Sequence, residues 1–180
     1  MGTLFKIYTN ALRKYPLITS SIQTGALMVS GDVIAQTLIE GTSFKNLNLV
    51  RTTQFGIVGL CFVGPTLTTW YRFLDKRIGS KGSAVVLKKL ALDQGALTPI
   101  FIVLFLTVLG TVQRHNFEFT VNEIKRNYTD ILINNYKLWP GVQLINFYLV
   151  PLQYQILLVQ VVALIWNIYL SWKTQNSSSD

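Results

Sequence analysis

Apolar residues dominate four stretches of the chain, and the charges fall between them. Formal charge is absent from Tyr15 to Gly31 (17 residues), Thr52 to Tyr71 (20), Gln94 to Gln113 (20) and Leu138 to Trp172 (35). A bilayer core about 30 Å thick takes roughly 20 mostly apolar residues per helix. The pattern predicts an all-α, polytopic membrane helix bundle. It forms one transmembrane domain over 1–180, with four transmembrane helices at about 17–39, 50–71, 87–112 and 142–172.

Residues 120–138 follow a different pattern. Val121, Ile124, Tyr128, Ile131, Leu132 and Tyr136 recur at helical spacing, opposite Glu123, Lys125, Arg126 and Asp130. This predicts an interfacial amphipathic helix. It would open at a Thr120-x-x-Glu123 capping box and stop at Pro140-Gly141. The polar tail, about 174–180, reads as disordered. Pro65, Pro99 and Pro151 fall inside apolar runs and predict kinks. In the first span, Ser21-xxx-Gly25 and Ala26-xxx-Ser30 are small-residue spacings that let helices approach closely.

Composition agrees with the pattern. Half of the residues are hydrophobic and 13% are charged, against nearer 25% charged in soluble domains. The net charge of +8 does not build a nucleic-acid surface, because its cations cluster between apolar runs at Arg72, Lys76, Arg77, Lys81, Lys88 and Lys89. There membrane topology and anionic lipid account for them. Of the 16 Lys and Arg, ten fall on the side of the N-terminus and second loop and six on the other. With four spans, both termini share the positive side, the matrix in a mitochondrion. Leu4, Tyr8, Leu12 and Tyr15 share one face of a basic start with no acid before Asp32. Such a start suits mitochondrial import or a helix on an anionic surface.

One cysteine, Cys61, excludes an intramolecular disulfide or a cysteine-based zinc site. Within an apolar run it reads as a buried small hydrophobe, with dimer crosslinking as its alternative redox role. His115 is the only histidine, so no metal centre and no cofactor are expected. No enzyme is expected either, since the Gly-x-Gly-Asp signature of intramembrane proteases is missing. Trp70, Trp139 and Trp172 read as interfacial residues.

The chemistry left lies inside the membrane. A charge at a helix centre costs roughly 2.5–3.5 kcal/mol, so Asp32, Arg51 and Asp93 each require a partner or water. Arg51 is the natural partner of either aspartate, and Lys89 stands one turn before Asp93. Gln94, Gln143 and Asn146 add amides, the last two on a shared helical stripe. Together these residues predict either a polar, water-filled interior or interhelical hydrogen bonds that fix packing.

Several motifs in order carry a resemblance. Trp139-Pro140, Gln143, Asn146-Phe147, Val150-Pro151, Trp166 and Tyr169-Leu170-Ser171 form the longest. Gly31-Asp32 with Gln36, Gly64-Pro65 with Trp70-Tyr71, and Lys89 with Asp93-Gln94 and Pro99 lie upstream. They resemble the small four-span family of the 22-kDa peroxisomal membrane protein and the mitochondrial inner-membrane Mpv protein, over about 8–173. CFVGP, LKKLALDQG and NFYLVPL are closest to the mitochondrial branch, with a peroxisomal membrane as the alternative location. Gln155 departs from the arginine common after the Val-Pro, and Thr68 from a histidine of several peroxisomal members.

The resemblance implies a gated, weakly selective channel for small solutes in the mitochondrial inner membrane. It also implies roles in membrane potential, redox homeostasis and nucleotide supply for mitochondrial DNA. A non-conducting assembly or scaffold factor and a coupled metabolite transporter are the alternatives. Expected partners are the lipid bilayer, small solutes or metabolites and a homo-oligomer or membrane complex, with no direct nucleic acid.

Overall fold

The computed structural model describes the backbone of residues 3–176 and, apart from residue 4, the side chains up to residue 166. Every regular element among the described residues is helical. We number them α1 (Thr3–Lys14), α2 (Pro16–Ile39), α3 (49–78), α4 (Ser83–Val112), α5 (Phe117–Leu149) and α6 (Gln155–Asn176). α2 and α4 are long and apolar enough to cross a membrane, and Leu152–Trp166 is a shorter apolar helix. Trp172 and residues 177–180 lie outside the described side chains and backbone respectively, while helix continues to Asn176, past the expected start of the tail.

Contacts between neighbours fix the direction of each rod. Asp32 meets Thr52, and Ser21 packs on Gly64, so α2 and α3 are antiparallel. Gln54 reaches the Val112 carbonyl while Trp70 reaches Asp93, so α3 and α4 are antiparallel too. Thr120 packs on Gly110 and Gln143 bonds Asp93, which makes α5 antiparallel to α4. Gly31 lies against Leu164 of α6, and Thr9 of α1 meets Tyr154 just before it. Five rods therefore alternate in direction. α1 sits at one end of the bundle and α6 runs toward the other, so the expected pairing of both termini on one side does not carry over.

The cause is α5. Residues 120–138 do not form a separate helix lying across the end of the bundle. They are the first part of a 33-residue helix that runs through Pro140. Proline removes one backbone bond and crowds the carbonyl four residues back. Side chains on both sides of it hold the helix to α4: Tyr136 Oη donates to the Gln94 carbonyl (2.7 Å), and Gln143 Nε2 donates to Asp93 (3.0 Å). The break comes instead at Val150-Pro151. The helix starts earlier than the capping box predicts. Asn116 caps it by accepting from the Glu118 N–H, and Thr120 is buried one turn inside, against Gly110.

Three π turns interrupt the rods, at Ala35–Ile39, Gly59–Val63 and Asp93–Leu97. Two of them end two residues before a proline, Pro65 and Pro99. A proline would press its ring on the carbonyls of Cys61 and Gly95 in a regular helix. The widened turn moves that strain into a wider hydrogen-bond ring, with the Gly64 and Thr98 N–H groups reaching back to Gly59 and Asp93. Such turns recur at functional sites, and here they carry Gln36, Asp93 and Gln94.

The α2–α3 crossing is a close approach of two backbones. A Cβ on Gly59 would stand 2.9 Å from the Gly25 Cα, and one on Gly64 2.6 Å from the Ser21 Cα. The Ser21-xxx-Gly25 spacing thus lies at the crossing, whereas Ala26 and Ser30 face outward. Gly64→Ala is expected to cost about 1–3 kcal/mol through overpacking, read as a lower midpoint of unfolding in detergent. An unchanged midpoint would mean the helices are further apart than described.

Candidate functional site

The six polar residues singled out in the sequence occupy two clusters. Thr52 and Tyr71, which mark their levels, stand about 28 Å apart along α3 at ~1.5 Å per residue, close to one bilayer core.

The first cluster joins α2 to the start of α3. Arg51 Nε meets Asp32 Oδ1 at 2.7 Å, and its Nη1 meets Glu40 Oε1 at 2.7 Å. Asp32 Oδ2 also accepts from Thr52 Oγ1 (2.6 Å) and Gln36 Nε2 (2.7 Å). Gln36 Oε1 accepts from the Asn48 N–H, tying the connecting loop to the same network. Asp32 is 5% exposed, with both hydrogen-bond donors on Oδ2 and the Arg51 guanidinium as the ion-pair partner of Oδ1.

The second cluster joins α3, α4 and α5. Asp93, 2% exposed, takes no cation. Its Oδ1 accepts from Trp70 Nε1 (2.9 Å), and its Oδ2 accepts from Gln94 Nε2 (2.8 Å) and Gln143 Nε2 (3.0 Å). Gln143 also donates to Tyr71 Oη (2.8 Å) and accepts from Asn146 Nδ2 (2.9 Å). Lys89, offered by its spacing as a partner for Asp93, instead pairs with Asp75 of α3 at 2.8 Å.

Each cluster borders a cavity between helices of the bundle. One of about 450 Å³ lies between α2, α3, α4 and α6, with Asp32, Arg51, Phe105 and Gln160 in its wall. Another of about 110 Å³ lies between α3, α4, α5 and α6, with Asp93, Gln94, Trp139, Gln143 and Val159 in its wall. Ile102 faces the second cavity and Phe105 the first, so about one helical turn separates them. Phe62, Phe101 and Phe105 stack across that level, with centroids 5.6 and 6.2 Å apart.

Comparison with known proteins places the chain. The model of the Mpv17 / PMP22 family matches residues 110–171. Mitochondrial inner membrane protein Mpv17 of Xenopus laevis is 41% identical over 177 residues, covering 98% of this chain and 100% of that protein. The protein of the same name from Danio rerio is 42% identical over 173 residues, covering 96% and 98%. Protein sym-1 of Neurospora crassa is 37% identical over 167 residues, covering 92% and 95%. The chain belongs to the Mpv17/PMP22 family. It is a protein of the mitochondrial inner membrane, as its Mpv17 relatives are named. No solved structure matches it.

Within this Mpv17/PMP22 chain, several residues stand in places the sequence did not suggest. Trp70 and Trp139 are not simple interfacial anchors: one donates to Asp93 and the other lines the same cavity. Cys61, expected to be buried, is exposed on the outer side of the π turn of α3. Pro65 and Pro99 lie in the first turns after π segments, and Pro151 separates α5 from α6. Gln155, in place of the family arginine, is buried and donates to the Val150 carbonyl at 3.1 Å. Thr52 is the member of the first cluster that sequence reasoning missed outright, since a threonine in an apolar run carries no signal of its own.

Proposed function

We propose that this chain is a gated, weakly selective channel for small solutes of the mitochondrial inner membrane. The observation that carries the reading is the pair of interhelical cavities, each lined by a buried carboxylate and separated by one aromatic turn. α2, α3, α4 and α6 are the four membrane-crossing helices of the reading, and α5 runs beside α4 at the same depth. Lys125, Arg126 and Asp130 on the outer side of α5 are exposed. Charges at that depth require water or a protein neighbour, so the reading includes assembly into a homo-oligomer or a membrane complex. The aromatic turn is the closed gate, which suits a membrane that must hold a potential. Regulated passage of small solutes would support membrane potential, redox homeostasis and the nucleotide supply for mitochondrial DNA that the family resemblance implies.

Phe105→Ala is expected to join the two cavities, because Phe105 stacks on Phe101 and borders the larger one. Purified protein in liposomes should then show solute flux or open-channel current at least severalfold above wild type. Silence from both folded proteins would point to an assembly factor, and saturable uptake of one solute to a coupled transporter.

A further inference from the structure

A third cavity, of about 180 Å³, opens at the end of the bundle that holds α1. Arg13, Ser20, Thr68, Tyr71, Arg72 and Gln153 supply its polar wall, and no acidic residue lines it. Neither arginine makes an ion pair or hydrogen bond with a described residue. Asp75, one turn after Arg72 on α3, is already paired with Lys89.

Ser20 sharpens the picture. It is 4% exposed, and its hydroxyl makes no hydrogen bond with a described residue. Outward-facing hydroxyls on the same rods, those of Ser30 and Thr53, bond the carbonyl one turn back. The Ser20 hydroxyl instead opens onto the cavity, whose rim holds the Arg13 and Arg72 guanidinium groups. Gln153, in the break between α5 and α6, likewise makes no side-chain hydrogen bond with a described residue.

We propose that this cavity binds a phosphate group. Guanidinium offers paired N–H donors in a planar fork that matches phosphate oxygens, with charge on both sides of each bond. Ser20 and Gln153 add neutral donors deeper in. The cavity lies at the end of the bundle that also holds the cations of the α3–α4 connection, where anionic headgroups would be attracted. The phosphate is therefore either that of a lipid headgroup or that of a soluble phosphorylated solute.

Tyr71 stands between this cavity and the one that holds Asp93, whose carboxylate repels an anion moving inward. The site thus holds its phosphate at the mouth rather than conducting it. Its place as a mouth rests on the channel reading, but the binding does not.

The test uses the full chain in a maltoside detergent free of phospholipid, at constant chloride. Sodium pyrophosphate and phosphatidylglycerol are the two probes, with diacylglycerol as the uncharged lipid control. Thermal unfolding is followed for wild type, R13Q/R72Q and Ser20→Ala. One probe should raise the wild-type melting temperature, and the double variant should need at least about tenfold more of it for the same rise. Ser20→Ala should fall between the two.

A rise with pyrophosphate assigns a soluble phosphate, and a rise with phosphatidylglycerol alone assigns a headgroup. No rise with either probe, or an equal rise in R13Q/R72Q, overturns the site. If the double variant does not fold, Arg72→Gln alone serves with the same criterion. Flux is measured separately on the same preparations, so a non-conducting protein that still responds to phosphate refutes the channel and leaves the site standing.

Discussion

Arg51→Met is expected to lower the stability of the bundle by about 3 kcal/mol. Removing one partner of a buried ion pair costs about 3–5 kcal/mol, because the other charge stays buried without compensation. The low end applies here, since the Arg51 side chain is 32% exposed and water reaches its outer edge. Asp32 sits at 2% side-chain exposure and cannot follow it into solvent. Gln36 and Thr52 would still donate to its Oδ2, but nothing would balance the charge at Oδ1.

A second substitution separates this cause from lost packing. Asp32→Asn on the Arg51→Met background removes the stranded charge and keeps an oxygen for Gln36 and Thr52. Most of the stability should return in the double variant. Graded SDS unfolding in mixed micelles gives the three midpoints. A single variant as stable as wild type would show that the pair does not form, and an unrecovered double variant would assign the loss to the aliphatic stem of Arg51.

That Arg51 pairs with a buried aspartate is legible in the sequence, because a charge inside an apolar run demands a counter-charge, but the choice of Asp32 over Asp93 is not. The same argument misplaces Lys89. Spacing along one helix brings Lys89 near Asp93, but a packed neighbour competes with the turn above, and Asp75 of α3 wins. Helix-to-helix register is a property of packing that one-dimensional spacing does not contain. For the same reason, residues expected to form one polar interior divide into two groups. Asp32 with Arg51 and Asp93 with Gln143 lie on different rods at levels a bilayer core apart.

Fold legibility follows a similar line. Runs without charge locate α2 and α4, since transfer into lipid acts residue by residue, whereas the run from Leu138 to Trp172 spans the end of α5 and most of α6. They do not reveal that α5 passes through Pro140. A proline deletes a local bond, and whether the helix survives depends on distant anchors such as Tyr136 to Gln94. Nor do they show the depth of α5: amphipathic spacing reads the same on a membrane surface as beside another helix. Trp70 illustrates the limit for single residues. Indole enrichment at interfaces is a population tendency, whereas its N–H here meets one buried carboxylate.

Asp93 should separate two outcomes according to what replaces it. Its carboxylate is the common acceptor for Trp70, Gln94 and Gln143, donors from α3, α4 and α5. Asp93→Leu leaves the Trp70 and Gln94 donors without their acceptor and Gln143 with Tyr71 Oη alone, at about 1–3 kcal/mol for each lost partner. The variant is expected to lose about 3 kcal/mol or more, by the same reasoning, and to fail to accumulate as a monodisperse species in detergent. Asp93→Asn keeps one acceptor oxygen, and its new amide group needs one acceptor of its own. Gln94 can supply it, since its Oε1 is buried and unpartnered and a rotation of the amide presents it. Asp93→Asn should therefore fold with a small loss of stability.

Asp93→Asn should then change conduction where Asp93→Leu cannot be assayed. Asp93 is the one charged residue in the wall of the smaller cavity. A unit charge about 5 Å from a passing cation is worth roughly 3 kcal/mol at an effective dielectric constant near 20. Removing it should shift the reversal potential in a salt gradient away from cation preference, on the Phe105→Ala background where current is measurable. An unchanged reversal potential in the folded variant would take Asp93 out of the path. It would leave that carboxylate as the tie between three helices, which the loss of stability in Asp93→Leu measures independently.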